Sequence, residues 1–161
     1  MRFGLSGLGR HVHEIGSTGR ADWMEAWDVV VVGAGTSALR AAIACSDEGV
    51  SPLMIDGAGV GSASGAQPTS GIAASIGELD SSAHCDDTIS AGGDEVDHSS
   101  ASRVCGQGVE ILAELERWGL VLRRSADGLP HSSKLPGHSV ARVSGCGDST
   151  SMEITHVLEE Q

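Results

Sequence analysis

The sequence predicts an α/β fold built on a parallel sheet, and three features of its first third carry that expectation. Val29–Val32 is a continuous β-branched run, apolar on both faces, which suits a strand buried inside a parallel sheet. Two glycines, Gly33 and Gly35, follow it directly, and an Ala-rich segment with helical spacing begins at Thr36. Leu53–Asp56 then supplies a second short apolar run, so strand, helix and strand make a β-α-β unit of about thirty residues.

The elements can be justified in order. Residues 1–23 contain Arg2, Arg10 and Arg20 but lack helical periodicity and the apolar centre of a secretory signal. Met24 stands just ahead of the first strand, so 1–23 are expected to be a disordered extension or to precede the true start. The helix over Thr36–Asp47 presents Arg40 outward and ends at Gly49. Residues 57–77 are rich in Gly, Ser and Ala and carry no charge. That composition also suits a flexible linker, but its position at a strand end favours an ordered binding loop.

Asp80 is expected to cap a helix reaching about Ala91. Asp97 caps the strongest helix, with Ala101, Val104, Cys105, Gly108, Ile111, Leu112, Leu115 and Trp118 on one face and Gly119 as its stop. Leu120–Arg124 and Leu129–His131 flank Asp127-Gly128, a hairpin signal. Residues 134–150 read as loop. From Ser151 to Gln161 a helical pattern starts without an end signal, which predicts a chain truncated at its C-terminus.

Composition excludes several function classes. The net charge is -12, and Lys134 is the only lysine, so no basic stripe exists to bind nucleic acid. Aromatic residues are 2 % with no tyrosine, which argues against base-stacking surfaces. Cys45, Cys85, Cys105 and Cys146 lie far apart, and the seven histidines show no ligand spacing, so no metal site is expected. Dispersed, unpaired thiols suit a cytoplasmic protein. No apolar run approaches the length of a membrane span.

Gly33-Ala34-Gly35-Thr36-Ser37-Ala38 fits G-x-G-x-x-(G/A) between a strand and a helix. Gly33 allows the tight turn, Gly35 lets a pyrophosphate approach the backbone, and Ala38 allows close helix–strand packing. The helix N-terminus adds free N–H groups and a positive dipole end. Asp56, 23 residues after Gly33, ends the second strand, where a carboxylate can accept a ribose hydroxyl. The motif implies a Rossmann-like site for a dinucleotide. A tight β-α turn without a ligand is the plainer alternative, and spacing alone does not separate FAD from NAD.

An ordered series of further segments resembles the FAD-dependent oxidoreductase 2 family, that of the succinate dehydrogenase and fumarate reductase flavoprotein subunits and L-aspartate oxidase. "VVGAGTSALRAAIA" is similar to that family's FAD fingerprint. "TSGIAASIG" (69–77) stands where the family has Q-G-G-I-x-x-x-x-G, with Gly71 fifteen positions after Asp56. "DDTISAGG" (86–93), "ELERWGLVL" (114–122), "PGHSVAR" (136–142) and "GDSTSMEITHVLEEQ" (147–161) resemble the segments that follow. The resemblance covers residues 27–161.

It implies the N-terminal, incomplete part of a Rossmann-like FAD-binding domain over 24–161, with a hairpin and loop region leading toward an absent capping domain. It also implies FAD as cofactor, with Gly57, Ser62, Ser64, Thr69, Ser70 and Gly71 among the cofactor-binding residues beside Gly33–Ala38 and Asp56. Ser64 occupies the place of the histidine that succinate dehydrogenase links covalently to FAD, so the flavin is expected to be non-covalent. Thr69-Ser70 replaces the family's Gln-Gly, and Thr150-Ser151 its Thr-Gly.

In a full-length parent, hydride would pass between flavin and a C4 dicarboxylate, or aspartate in the L-aspartate oxidase alternative. An iron–sulfur subunit is an implied partner, and any membrane association would run through partner subunits. His138, Ser139 and Arg142 form a polar loop that either meets a substrate carboxylate or lies solvated. The family's proton-donating arginine comes from later segments, so no catalytic residue is expected within the chain. These residues alone are expected to be inactive, with Val29–Val32 and the Ile111/Leu112/Leu115/Trp118 face partly exposed. A non-catalytic remnant that binds nothing is the third alternative.

Overall fold

A computed structural model of the chain describes residues 26–57, 69, 71–76 and 78–161. The expected extension over 1–23 lies outside the described residues, as does most of the loop 57–77. The chain divides into two compact units, one comprising Met1–Ala66 with Leu158–Gln161 and the other Gln67–Val157.

The first unit contains β1 (Val29–Val32), α1 (Thr36–Asp47) and β2 (Pro52–Ile55). β1 and β2 pair in parallel, with Val29 opposite Pro52 and Val32 opposite Ile55. α1 packs on both strands and buries Leu39, Ala42 and Ile43. The crossover helix of the β-α-β unit therefore forms where the sequence places it. β2 starts and ends one residue earlier than expected, which leaves Asp56 just past the strand. The burial of β1 differs from its sequence pattern. Val30 is 53 % exposed and Val32 79 %. Among the described residues the sheet of this unit has two strands, so a run that is apolar on both faces finds cover on the side of α1 alone.

The second unit contains β3 (Ile72–Ala73), α2 (Glu78–Gly92), a 3-10 turn (Gly93–Glu95), α3 (His98–Arg117), β4 (Ser132–Ser133) and β5 (Val143–Ser144), and α4 (Thr150–Glu159) begins in it. α2 packs against α3. Asp97 caps α3 as expected. Its Oδ1 accepts the Ser99 N–H at 3.0 Å and its Oδ2 the Ser100 hydroxyl at 2.8 Å. Ala101, Cys105, Gly108, Leu112 and Leu115 form the buried face of α3. The expectation that this face is left exposed is corrected in part: Leu112 and Leu115 are buried, whereas Ile111 and Val104, on the flanks of the stripe, are exposed.

Three further expectations are revised. Asp80 does not cap α2, which begins at Glu78; its carboxylate is bound by Arg142 instead. The hairpin around Asp127-Gly128 closes, with Gly128 at φ 82, but shrinks to one bridge between Arg124 and Pro130. The stretch 134–150 is not only loop. It contains β5, which lies between β3 and β4 in a three-stranded antiparallel sheet. All four cysteines are free thiols. Among the described residues no helix is long and apolar enough to cross a membrane.

Candidate functional site

The glycine turn sits at the C-terminal ends of β1 and β2. The Gly33 N–H donates to the Ile55 carbonyl at 2.8 Å, which holds the turn beside the strand end that leads into Asp56. Gly33 has φ 116, a conformation that L side chains rarely adopt, so glycine is required there by backbone geometry. Gly35 differs. It is the N-cap of α1 at φ -84 and ψ 177, open to any residue, so nothing in the backbone demands a glycine. The absence of a side chain at Gly35 leaves the backbone at the start of α1 without a Cβ to hinder access.

The surroundings of that access suit a phosphate. No side chain caps α1, and its first turn carries no acidic residue. A helix N-terminus without a capping side chain or a first-turn acid is suited to an anion. Ala34 is buried, Thr36 and Ala38 are half-buried, and Ser37 and Asp56 are exposed. Gly57 is exposed next to Asp56. Ser62, Ser64 and Ser70 lie outside the described residues.

The second unit holds Thr69 and Gly71. Thr69 bridges to Ser149 in a parallel sense. Gly71 meets β5 at very close range: a Cβ built there would lie 2.5 Å from the Ser144 carbonyl oxygen and 2.7 Å from Val143 Cγ1.

The polar loop is solvated at Ser139 and half-buried at His138, but its arginine is turned inward. Arg142 is fully buried, and its guanidinium is taken by two carboxylates of α2. Nε and Nη2 donate to Asp80 Oδ1 at 3.1 and 2.9 Å, and Nη1 donates to Asp87 Oδ2 at 2.6 Å. Nη1 also donates to His138 Nδ1 at 2.9 Å, and Nη2 to Ser139 Oγ at 3.4 Å. Arginine can only donate, so Nδ1 of His138 is the acceptor in this contact. The carboxylates that meet this loop come from the chain itself. The sequence carried half of a signal for this: Asp80 and Asp87 are seven residues apart, two turns along one helix face, but their arginine lies 55 residues beyond Asp87.

Charge states in the cluster follow from these contacts. The Ser139 N–H and the Arg142 guanidinium hold Asp87 down to about 2 from 3.8. Burial, then Arg142 and His138, lowers His84, whose Nδ1 lies 3.0 Å from Ser75 Oγ. A carboxylate with a depressed pKa stabilises the fold above its ordinary value, and the contribution is lost as pH falls from 3.8 through about 2. A histidine with a depressed pKa resists a proton that the unfolded chain accepts, so stability also declines below 6.5. The unfolding temperature is therefore expected to fall in two steps on acidification, as followed by circular dichroism. The upper step should shrink in His84→Gln; an unchanged upper step in that variant would refute its assignment.

With this geometry in place, comparison with known proteins is informative. A family model described as an FAD binding domain matches residues 28–161. The L-aspartate oxidase of Streptomyces coelicolor is 31 % identical over 140 residues, covering 86 % of this chain and 24 % of the relative. Among solved structures, Mycobacterium smegmatis Sdh1 in complex with UQ1 superposes with a TM-score of 0.77 at 28 % identity, covering 83 % of this chain and 23 % of that one. The E. coli quinol fumarate reductase FrdA, at 24 % identity and a TM-score of 0.75, shares the fold over 82 % of this chain and 23 % of its own. The chain thus spans about a quarter of the length of the relatives it matches.

Proposed function

This chain belongs to the FAD binding domain family of flavoproteins, and from that membership we propose that it holds FAD in an oxidoreductase of the succinate dehydrogenase/fumarate reductase type. The observation that carries the reading is the uncapped, acid-free N-terminus of α1 behind a glycine turn whose second glycine no backbone constraint requires. In the proposed assignment, residues 24–161 act as one FAD-binding portion. Gly33–Ala38 receive the pyrophosphate on backbone N–H groups, and Asp56 with Gly57 meets the ribose. Ser62, Ser64, Thr69, Ser70 and Gly71 are assigned to the flavin side. Bound FAD supplies the hydride chemistry, and the chain's own part is binding and orientation.

The substrate we assign to the longer protein is a C4 dicarboxylate, with an iron–sulfur subunit as electron partner. The localisation assigned is cytoplasmic, reaching a membrane only through partner subunits. L-aspartate as substrate is the second reading, favoured by the name of the Streptomyces relative and by Ser64.

Flavin attachment is expected to be non-covalent, because Ser64 offers no imidazole for a bond to the cofactor. Titrating the chain with FAD should quench flavin fluorescence to a plateau, and acid precipitation of the complex should leave all FAD in the supernatant. No saturable quenching would overturn the FAD assignment. Flavin retained in the pellet would overturn the attachment mode.

A further inference from the structure

We infer that Arg142 is a positioning residue for the segment Gly71–Ala74, which it registers against β5; the consequence for FAD rests on the flavin-side assignment of Gly71 above. The side chain of Arg142 and its backbone grip different elements. All five guanidinium N–H groups are engaged, two aspartates of α2 on one side and His138 and Ser139 on the other. Asp87 Oδ2 also accepts the Ser139 N–H at 2.7 Å and the Ser139 hydroxyl at 2.9 Å, so the loop folds around the same carboxylate. The guanidinium is thereby fixed in direction as well as place, since a planar fork shared between two carboxylates has one orientation.

The backbone of the same residue meets the segment itself. The Arg142 carbonyl accepts the Ala74 N–H at 3.0 Å. The next two residues, Val143 and Ser144, pair with Ala73 and Ile72. The Ser144 carbonyl and the Val143 side chain then press on Gly71. One residue thus converts the place of α2 into the place of residues 71–74.

A merely structural role and a positioning role make different claims. Replacing a buried ion cluster with apolar residues of similar size is often neutral or stabilising, so stability does not require the charges. The direction of the Arg142 side chain does require them, because an apolar contact with α2 lacks the fixed orientation of a planar fork held between two carboxylates.

The test uses two variants of the chain. Arg142→Lys keeps the charge but not the fork. The triple variant Arg142→Met with Asp80→Leu and Asp87→Leu replaces the cluster by apolar packing and guards against simple loss of fold. Without FAD, amide exchange at Gly71–Ala74 should quicken about tenfold in both, a shift of about 1.4 kcal/mol, while amides of α1 keep their rates. With FAD, the dissociation constant should rise about tenfold and the visible circular dichroism of the bound flavin should change. A triple variant that folds with unchanged exchange at Gly71–Ala74 would overturn the inference. So would variants with altered exchange but unchanged affinity and flavin spectrum. If the parent chain takes up no FAD, the functional reading fails instead, and the exchange rates still decide whether Arg142 sets the segment.

Discussion

A Gly71→Ala chain is expected to lose about 3 kcal/mol of stability, with the loss confined to the unit that contains β3, β4 and β5. The added methyl would sit 2.5 Å from the Ser144 carbonyl oxygen and 2.7 Å from Val143 Cγ1. Neither neighbour can swing away. One is backbone in the central strand, and the other belongs to a buried β-branched side chain. Replacing glycine by alanine ordinarily gains about 0.4–1 kcal/mol by restricting the unfolded chain, so the steric term decides the sign. Denaturant unfolding, with amide exchange to locate the loss, measures it. Parent-like stability would show that β5 can move away from Gly71 at no cost.

At the glycine turn the expected result is the opposite in kind. Gly35→Val should fold and fail to bind. The φ of -84 and ψ of 177 suit valine, and the N-cap loses about 1 kcal/mol at most. The two γ-methyls would stand where the proposed site brings the pyrophosphate to the first turn of α1. FAD affinity is expected to fall at least about a hundredfold, equivalent to about 2.8 kcal/mol, and the protein should purify without yellow colour. Far-UV circular dichroism reports the fold and flavin fluorescence the binding. A Gly35→Val protein carrying FAD at the parent's stoichiometry would remove the pyrophosphate from this turn.

What could be read from sequence was local. β1, α1 and β2 are consecutive and periodic, and the turn between β1 and α1 declares itself by its glycines. α3 carries its own cap at Asp97 and its own stop at Gly119. The parts that escaped depend on distant partners. Val143 and Ser144 form a strand of two residues, too short to show alternation, and they sit in a stretch of Gly, Ser and Pro that reads as loop. Asp80 has the sequence context of a cap, but a buried arginine 62 residues away outbids the helix end for its carboxylate. Arg142 is marked as polar by its neighbours His138 and Ser139, yet only the packed unit shows that the chain satisfies it internally. The exposure of β1 was legible: a run apolar on both faces needs cover on both, and the sequence offers too few helices and strands to supply it.

The order of the small sheet has a consequence for how the chain is made. β5 is the last of its three strands to leave the ribosome and the one that lies in the middle. Ile72 must wait for Ser144, and at roughly 5–20 residues per second that is a delay of about 4–14 s. During it β3 and β4 have no central strand to pair with, and the two aspartates of α2 have no cation. α2, the turn after it and α3 can already form as a local helical pair. Arrival of Arg142, Val143 and Ser144 then completes the sheet and the ion cluster together. Closure of this unit is a late, nonlocal step dominated by three consecutive residues, and the nascent chain is open to aggregation and proteolysis until they emerge.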